Sequence, residues 1–520
     1  MPPLSPVLLS DARILAAYVI FVSSYVVFAL GKFPGMKIDR PGAAIIGAVL
    51  MVAFRIVGAR DALASIDFAT VVLLFSMMLV VGNLRVAGFF DWITEWIIQR
   101  LHPHHLLPTV IFTSGLFSAF LVNDIVCLVM TPLTLRMARR LGLPPIPYLL
   151  AVAIASNIGS TATITGNPQN MLIGSLSGIP YVEFILHLGP VALAGLFLSW
   201  ALMHRLYLPG SVDRVSVAEA LSAFEGRDEG IRKKPVVVLL IVLGGFLAGV
   251  PAALMAAIGA ALLLVTRSVD PRKVYAEVDW GLLVFFLGLF IIVGGAERAG
   301  LTNNLLRPVA TWNLYRIPIF VAVTTLLCNV VSNVPAVMLL RTLVSGFPDP
   351  HTGWLSLAMA STLAGNLTIT GSVANIIVVE RAAAEGVHVG FREYFRVGLP
   401  VTAATLVLGS VWLWLTSIRT QGRRRNEKRT SHAGRCGDGG SDQSVHERAD
   451  PMGQSRDSAG RRLLLRGRRF PRPVVLRAHR RGLIGDAARH ERSHLLDPNI
   501  RPHGSRGLQG HPLPRRLRPI

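Results

Sequence analysis

Charge is scarce in this chain. Only 16% of the 520 residues are Asp, Glu, Lys or Arg, against 52% hydrophobic residues and a mean hydropathy of +0.52. That balance excludes a soluble globular domain for most of the length. Cysteine is scarcer still: Cys127, Cys328 and Cys436 are the three present, too few and too far apart for a disulfide framework or a zinc site. There is no Walker motif and no nucleophile elbow, so nucleotide-driven pumping and acyl chemistry lack their residues, and neither an enzyme activity nor a cofactor is expected. No basic stretch or small-residue cleavage site precedes the first apolar run, which is therefore expected to be a span rather than a removed signal.

The net charge of +22 would suit a nucleic-acid binder if it were spread evenly. Residues 419–520, however, hold 25 of the 52 Lys and Arg against 9 of the 30 acids, leaving 27 against 21 in the apolar body. Such a surplus is what cytoplasmic loops carry, so the expected partner is a lipid bilayer and no nucleic acid. From Arg419 onward Arg, His, Gly and Pro abound, no Lys follows Lys428, and no apolar run reaches spanning length. Three readings of residues 419–520 stand: a basic lipid-binding tail, disorder, and out-of-frame text from the end of a GC-rich gene. None assigns the tail a function.

What the chain does have is a polar break repeated inside two apolar runs. Ser156 to Asn170 reads Ser-Asn-Ile-Gly-Ser-Thr-Ala-Thr-Ile-Thr-Gly-Asn-Pro-Gln-Asn. Gly166, Asn167 and Pro168 cannot carry a helix onward, so the spacing predicts a broken helix whose freed backbone groups need protein, water or an ion. Ser361 to Asn375 repeats it: Thr163, Ile164, Thr165, Gly166 and Asn170 match Thr368, Ile369, Thr370, Gly371 and Asn375 at one constant offset. Two broken helices in corresponding halves point to a central site near the midplane.

The remaining runs fall into the same two halves. In residues 1–206, spans are expected over 14–31, 41–57 and 68–86, and an interface helix over 89–101. A re-entrant hairpin over 106–137 carries Asn123 and Asp124 at its tip; the broken helix and a last span over 184–206 follow. Residues 207–234 read as a cytoplasmic linker ending in Arg232-Lys233-Lys234. Residues 235–418 replay the order, with spans over 235–250, 252–266 and 279–295, a hairpin over 317–344 tipped by Ser332 and Asn333, a broken helix over 355–379 and a last span over 395–415. Each half then crosses five times, an odd number, so the halves must be inverted repeats. The expected fold is an all-α polytopic membrane protein. About 20 of the body's 27 Lys and Arg lie on the faces that include the linker, which puts the linker in the cytoplasm and both ends of the body outside, in the cell (inner) membrane.

Asn123-Asp124-Ile125-Val126-Cys127, the Ser156 to Asn170 stretch, Ser332-Asn333-Val334-Pro335-Ala336 and the Ser361 to Asn375 stretch together resemble the ion transporter superfamily. Within it the closest likeness is to the branch of arsenite permeases and sodium/proton antiporters that includes citrate-transporter-like anion permeases. The resemblance implies secondary-active transport of a small anion, an inorganic oxyanion or a carboxylate, coupled to Na⁺ or H⁺, and leaves open whether the protein is a homodimer. It also implies one cation clamp from Asn123 with Gly166, Asn167 and Asn170, and a second from Asn333 with Gly371, Ser372 and Asn375. The first tip departs from the Ser-Asn-Thr pattern of the dicarboxylate branch. A sodium/proton antiporter of the same fold is the alternative, and a membrane-embedded enzyme or receptor a more distant one.

The residue chemistry runs parallel to the resemblance. Unwound carbonyls with the oxygens of Asn and of Thr163, Thr165, Thr368 and Thr370 suit a hard cation without a buried charge, and half-helix N-termini suit an anion. Close helix packing is the plainer reason for Gly, Ser and Thr. Asp124, an acid deep in an apolar stretch, reads as a cation ligand or proton carrier, or as a cap on its own tip amides. Glu380 and Arg381 read as interfacial, Arg136 and Arg341 as snorkelling, and His102, His104 and His105 as facing headgroups rather than a metal.

Overall fold

Helices form where the apolar runs are, and Asp and Pro set their starts. The computed structural model describes the backbone of residues 6–31, 38–98, 105–207, 233–266, 269–301 and 313–436. The first half holds α1 (Pro6–Leu30), α2 (Arg40–Ala53), α3 (Ala59–Ala64), α4 (Phe68–Val86), α5 (Phe89–Ile98), α6 (Leu106–Phe120), α7 (Asn123–Arg140), α8 (Pro145–Ser160), α9 (Pro168–Ser177) and α10 (Tyr181–Leu206). The second holds α11 (Lys233–Leu247), α12 (Ala252–Thr266), α13 (Pro271–Ala276), α14 (Trp280–Arg298), α15 (Ile317–Val331), α16 (Asn333–Val344), α17 (Pro350–Leu363), α18 (Val373–Ala384) and α19 (Phe391–Cys436). No strand occurs among the described residues. Asp39, Asp67, Asp270 and Asp279 each accept a first-turn backbone N–H, at the starts of α2, α4, α13 and α14. Each cap satisfies an amide that a helix end would otherwise leave unpaired.

Five of these helices are long and apolar enough to cross a membrane: Asp11–Leu30, Phe68–Val86, Tyr181–Leu206, Trp280–Arg298 and Phe391–Ile418. Shorter apolar helices fill in between. Large apolar side chains stay exposed along one face of the peripheral helices, as with Leu15, Val19, Val22 and Val26 on α1 and Val407, Val411, Trp414 and Ile418 on α19. Spaced three and four apart, they form stripes that water would penalise and lipid accepts. The chain is an all-α polytopic membrane protein.

The halves interlock through their second and third long elements. α2 packs on α14 and α12 on α4. Gly288 lies so close to Ala44 that an added Cβ would stand 2.5 Å from its carbonyl oxygen. Two ion pairs tie the ends of α4 and α14 crosswise. Arg85, in the last turn of α4, pairs with Glu277 just before α14, and Arg298 in the last turn of α14 lies 3.4 Å from Asp61 just before α4. These two helices therefore run antiparallel side by side. Gly88 and Gly300, which follow them, both take left-handed φ, +79° and +72°, a conformation that ends a helix and favours glycine.

Both hairpins turn inside the protein. The first turns at Leu121 and Val122, with Val122 extended (φ −60°, ψ 123°), the second at Ser332 with φ 77° and ψ 160°. The broken helices share one geometry. After α8 and after α17 the chain leaves the helix, Thr163 and Thr368 turn extended at φ −136° and −135° with ψ 162°, and single 3₁₀ turns follow at Ile164–Gly166 and Ile369–Gly371. The second break carries a further 3₁₀ turn at Ala364–Asn366.

Two expected boundaries move. α11 begins at Lys233, inside the stretch read as linker, because lysines at a helix start keep their charge outside the apolar run; residues 208–232 lie outside the described residues. The last helix continues past residue 418 to Cys436, so the change in composition at Arg419 is not a helix end. The rest of the tail, residues 437–520, lies outside the described residues.

Candidate functional site

Asn157 on α8 stands where the two breaks meet. Its Nδ2 donates to Asn366 Oδ1 (3.0 Å) and Asn375 Oδ1 (2.9 Å), while its Oδ1 accepts from Asn123 Nδ2 (3.2 Å) and Ser372 Oγ (3.0 Å). One amide thus joins the first hairpin tip to the second break. The counterpart crosses the other way: Thr362 on α17, which aligns with Asn157 in the repeat, donates to Asn170 Oδ1 (3.3 Å) and accepts from Asn167 Nδ2 (3.2 Å). All of these side chains are buried. A buried polar network is tolerated only when its members are paired, and paired it fixes one arrangement of the elements that carry it.

The breaks hold their shape by the same bonds. Asn170 Nδ2 donates to the carbonyls of Ser160 (3.0 Å) and Thr163 (3.1 Å), and Asn375 Nδ2 to those of Gly365 (2.6 Å) and Thr368 (3.0 Å). These carbonyls lost their helical partners where the chain left the helix, and the repeated Asn replaces them. Glycine is required at each turn for space. A Cβ on Gly166 would stand 2.3 Å from Ser160 O; on Gly371 it would stand 2.9 Å from Gly365 O and Asn329 Oδ1.

The two breaks differ in surroundings. Thr163 and Thr165 are buried; Thr163 Oγ1 donates to Ala119 O, and Thr165 Oγ1 lies 2.7 Å from the Tyr181 hydroxyl. Thr368 donates to Asn329 Oδ1 (3.0 Å), but is only half-buried, and Thr370 is exposed. Capping differs as well. Asn167 caps α9 by accepting from Asn170 N (2.9 Å), whereas Ser372 makes no cap bond at α18 because its hydroxyl is turned to Asn157. The first amides of α18 thus lack a side-chain cap, the arrangement that binds anions at helix starts.

Two features of the hairpin tips bear on the site. Asn123 Oδ1 is buried and accepts no hydrogen bond, an acceptor left unmatched in the middle of the network. One terminal atom of the Asn333 amide lies 3.3 Å from both Ser361 O and Gly371 O. As nitrogen it donates to both carbonyls, which ties the second hairpin tip to α17 and to the second break. Ser332, beside it, holds a positive φ that a non-glycine residue adopts only under strain of order 1–3 kcal/mol.

Of the residues singled out in the sequence, the structure brings Asn123, Asn167, Asn170, Asn333, Ser372 and Asn375 together with Gly166 and Gly371. Asp124 is not joined to them: it is half-buried at the start of α7 and its side chain makes no hydrogen bond among the described residues, so it does not cap its tip amides. Glu380, Arg381 and Arg136 are exposed, while Arg341 pairs with Glu297 at 2.6 Å. Arg341 also lines a cavity of about 550 Å³ with Asp67, Glu297 and Arg298, so it is more than a snorkelling side chain. His105 is exposed; His102 and His104 lie outside the described residues. Sequence reasoning missed Asn157, Thr362, Asn366 and Asn329. The first two occupy one repeat position, and polar side chains at the same place in two apolar helices were the signal. It also passed over His490-Glu491-Arg492-Ser493-His494, a metallopeptidase-like spacing in the tail, outside the described residues and outside any apolar run.

The chain is similar to known proteins over most of its length. A 46 kDa membrane protein of Mycobacterium leprae (strain TN) is 32% identical over 424 residues, covering 77% of this chain and 98% of that protein. A silicon efflux transporter, LSI3, of Oryza sativa subsp. japonica is 31% identical over 474 residues, with 77% and 98% covered. The YdaH transporter of Alcanivorax borkumensis superposes with a TM-score of 0.46 at 15% identity, over 78% of this chain and 97% of that one. The family model described as citrate transporter matches residues 25–364, and with the full-length relatives this shows that the chain belongs to the citrate transporter family, whose members are transporters and not enzymes.

Proposed function

We propose that this transporter moves a small anion, an inorganic oxyanion or a carboxylate, by secondary-active transport coupled to Na⁺ or H⁺, with alternating access about the Asn157 network. The observation that carries the reading is the crosswise bonding of the two breaks: each half's helix interior (Asn157, Thr362) is bonded to the other half's break (Asn375, Asn170). A site built from both halves changes whenever the halves move against each other. The unmatched Asn123 Oδ1 supplies an oxygen for a cation, and the α18 start supplies amides for the anion. One break is sealed and the other partly open, the asymmetry expected of a transporter open to one side.

The halves are inverted in this proposal, with residues 207–234 cytoplasmic and both ends of the body outside, in the cell membrane. Four ion pairs and one carboxylate–imidazole contact support it, since each joins residues assigned to one face: Arg85 with Glu277 and Arg139 with Glu385 inside, Asp61 with Arg298, Glu297 with Arg341 and Glu183 with His351 outside. The test is flux into proteoliposomes with an imposed Na⁺ or proton gradient while candidate oxyanions and carboxylates are added in turn. Anion-dependent, gradient-dependent uptake is expected. Cation exchange that needs no anion would replace this reading with a sodium/proton antiporter.

A further inference from the structure

Away from the central network, Glu183, His187 and His351 bring three metal-ligating side chains together. One donor atom from each lies within 4.8 Å of the others, and all three residues are half-buried. Glu183 and His187 stand one turn apart at the start of α10, and His351 is at the start of α17. His351 Nε2 is 3.0 Å from Glu183 Oε1, and the two imidazole rings meet edge to face with centroids 5.2 Å apart. The orientation of His187 is held from behind. Its Nδ1 lies 2.8 Å from the Glu183 carbonyl oxygen, which only accepts, so Nδ1 carries the proton and Nε2 the lone pair. Metal-binding histidines are commonly oriented in this way. The backbone carbonyl of His187 in turn accepts from Trp412 Nε1 (2.8 Å), which ties the turn to α19.

We infer that Glu183, His187 and His351 form a binding site for a divalent transition metal of the zinc class, bridging the start of α10 to the start of α17. Two neutral imidazoles and one carboxylate are a known zinc donor set, with the fourth position left to water. A tetrahedral zinc with ligands at about 2.0–2.2 Å separates its donors by roughly 3.3–3.6 Å, which rotation of these side chains reaches from the observed spacing. Half-burial leaves an entry path, and on the proposed topology both helix starts lie on the outer face. The metal would pin α17, whose other end carries Ser361 and Thr362 into the central network. That consequence rests on the proposed function; the metal site itself does not.

The test uses the full chain, purified without a polyhistidine tag, and titrates it with Co²⁺ and then Zn²⁺. One Co²⁺ per chain with the visible absorption of a four-coordinate N,N,O site is expected, displaced by Zn²⁺ and accompanied by a change in Trp412 fluorescence. His187→Ala and His351→Ala should each weaken binding at least tenfold while the apo proteins keep the wild-type melting temperature within a few degrees. Replacing His102, His104 and His105 together should leave binding intact. Absence of stoichiometric Co²⁺ binding, or equal binding by the wild type and the two variants, would overturn the inference and leave Glu183 and His351 as an ion pair. Because binding is read directly, this result is independent of whether the protein transports an anion.

Discussion

Asn157 is the residue on which most of the central geometry converges, and its removal has a calculable consequence. Asn157→Ala removes the hydrogen-bond partner of Asn123 Nδ2, Ser372 Oγ, Asn366 Oδ1 and Asn375 Oδ1 in a buried setting, where each unmatched atom costs about 1–3 kcal/mol. Its melting temperature in detergent should fall by several degrees, with transport lost; a melt indistinguishable from wild type would mean that the network contributes little. Asn123→Ala and Asn333→Ala act on the cations instead. Losing one oxygen from a dry site at about 1–3 kcal/mol is roughly a five- to more than hundredfold loss of affinity, so the cation concentration for half-maximal uptake should rise by that factor. Asp124→Asn distinguishes the coupling ions: loss of pH dependence marks the proton, and lower cation affinity with pH dependence kept marks Na⁺. Wild-type cation dependence in all three variants would remove the tips from the site.

At the scale of elements, the breaks and the antiparallel pair of α4 and α14 are the features to probe. Gly166→Ala places a methyl group 2.3 Å from the Ser160 carbonyl oxygen, a backbone atom with nowhere to go, whereas Gly371→Ala meets its nearest atoms at 2.9 Å in the less enclosed break. Overpacking of a fixed site costs about 1–3 kcal/mol, so Gly166→Ala should destabilise more than Gly371→Ala. Equal melting temperatures for the two would contradict the difference in packing. The Arg85 and Glu277 side chains are 32% and 25% exposed, so their ion pair adds little stability, but it fixes a distance. Cysteines at 85 and 277 should therefore cross-link in membranes with a short bifunctional thiol reagent. No cross-link in a well-inserted double variant would show that the end of α4 does not meet the start of α14.

For the whole molecule the strongest expectation is topological. A single cysteine in residues 207–234 should be shielded from an impermeant thiol reagent in intact cells, and one at Gly178 should react. Cys127 and Cys328 are buried, and Cys436 is replaced by Ser for this experiment. The opposite labelling pattern would reverse the orientation in the membrane and, with it, the assignment of the five contacts to faces. The outer placement of the Glu183, His187 and His351 cluster would then need revision as well.

Periodicity and composition alone determined that this is a helical membrane protein, where most of its spans lie, and that two Gly-Asn breaks correspond. Apolar runs and helix breakers act locally, so they are legible without neighbours: residues 68–86 and 252–266 were delimited as the structure has them, and Asn170 and Asn375 mend their own breaks. What only the tertiary structure decided are the pairings between distant parts. Asn157 with Asn375, Thr362 with Asn170, and Glu183 with His351 join residues far apart in the chain, and no local pattern shows which of many polar side chains will meet. The same reason explains why Asp124, prominent in sequence as a lone acid, stands outside the network, while Asn157, inconspicuous in its helix, holds the centre. Position along the chain governs which groups must be satisfied; packing of the two halves governs by whom.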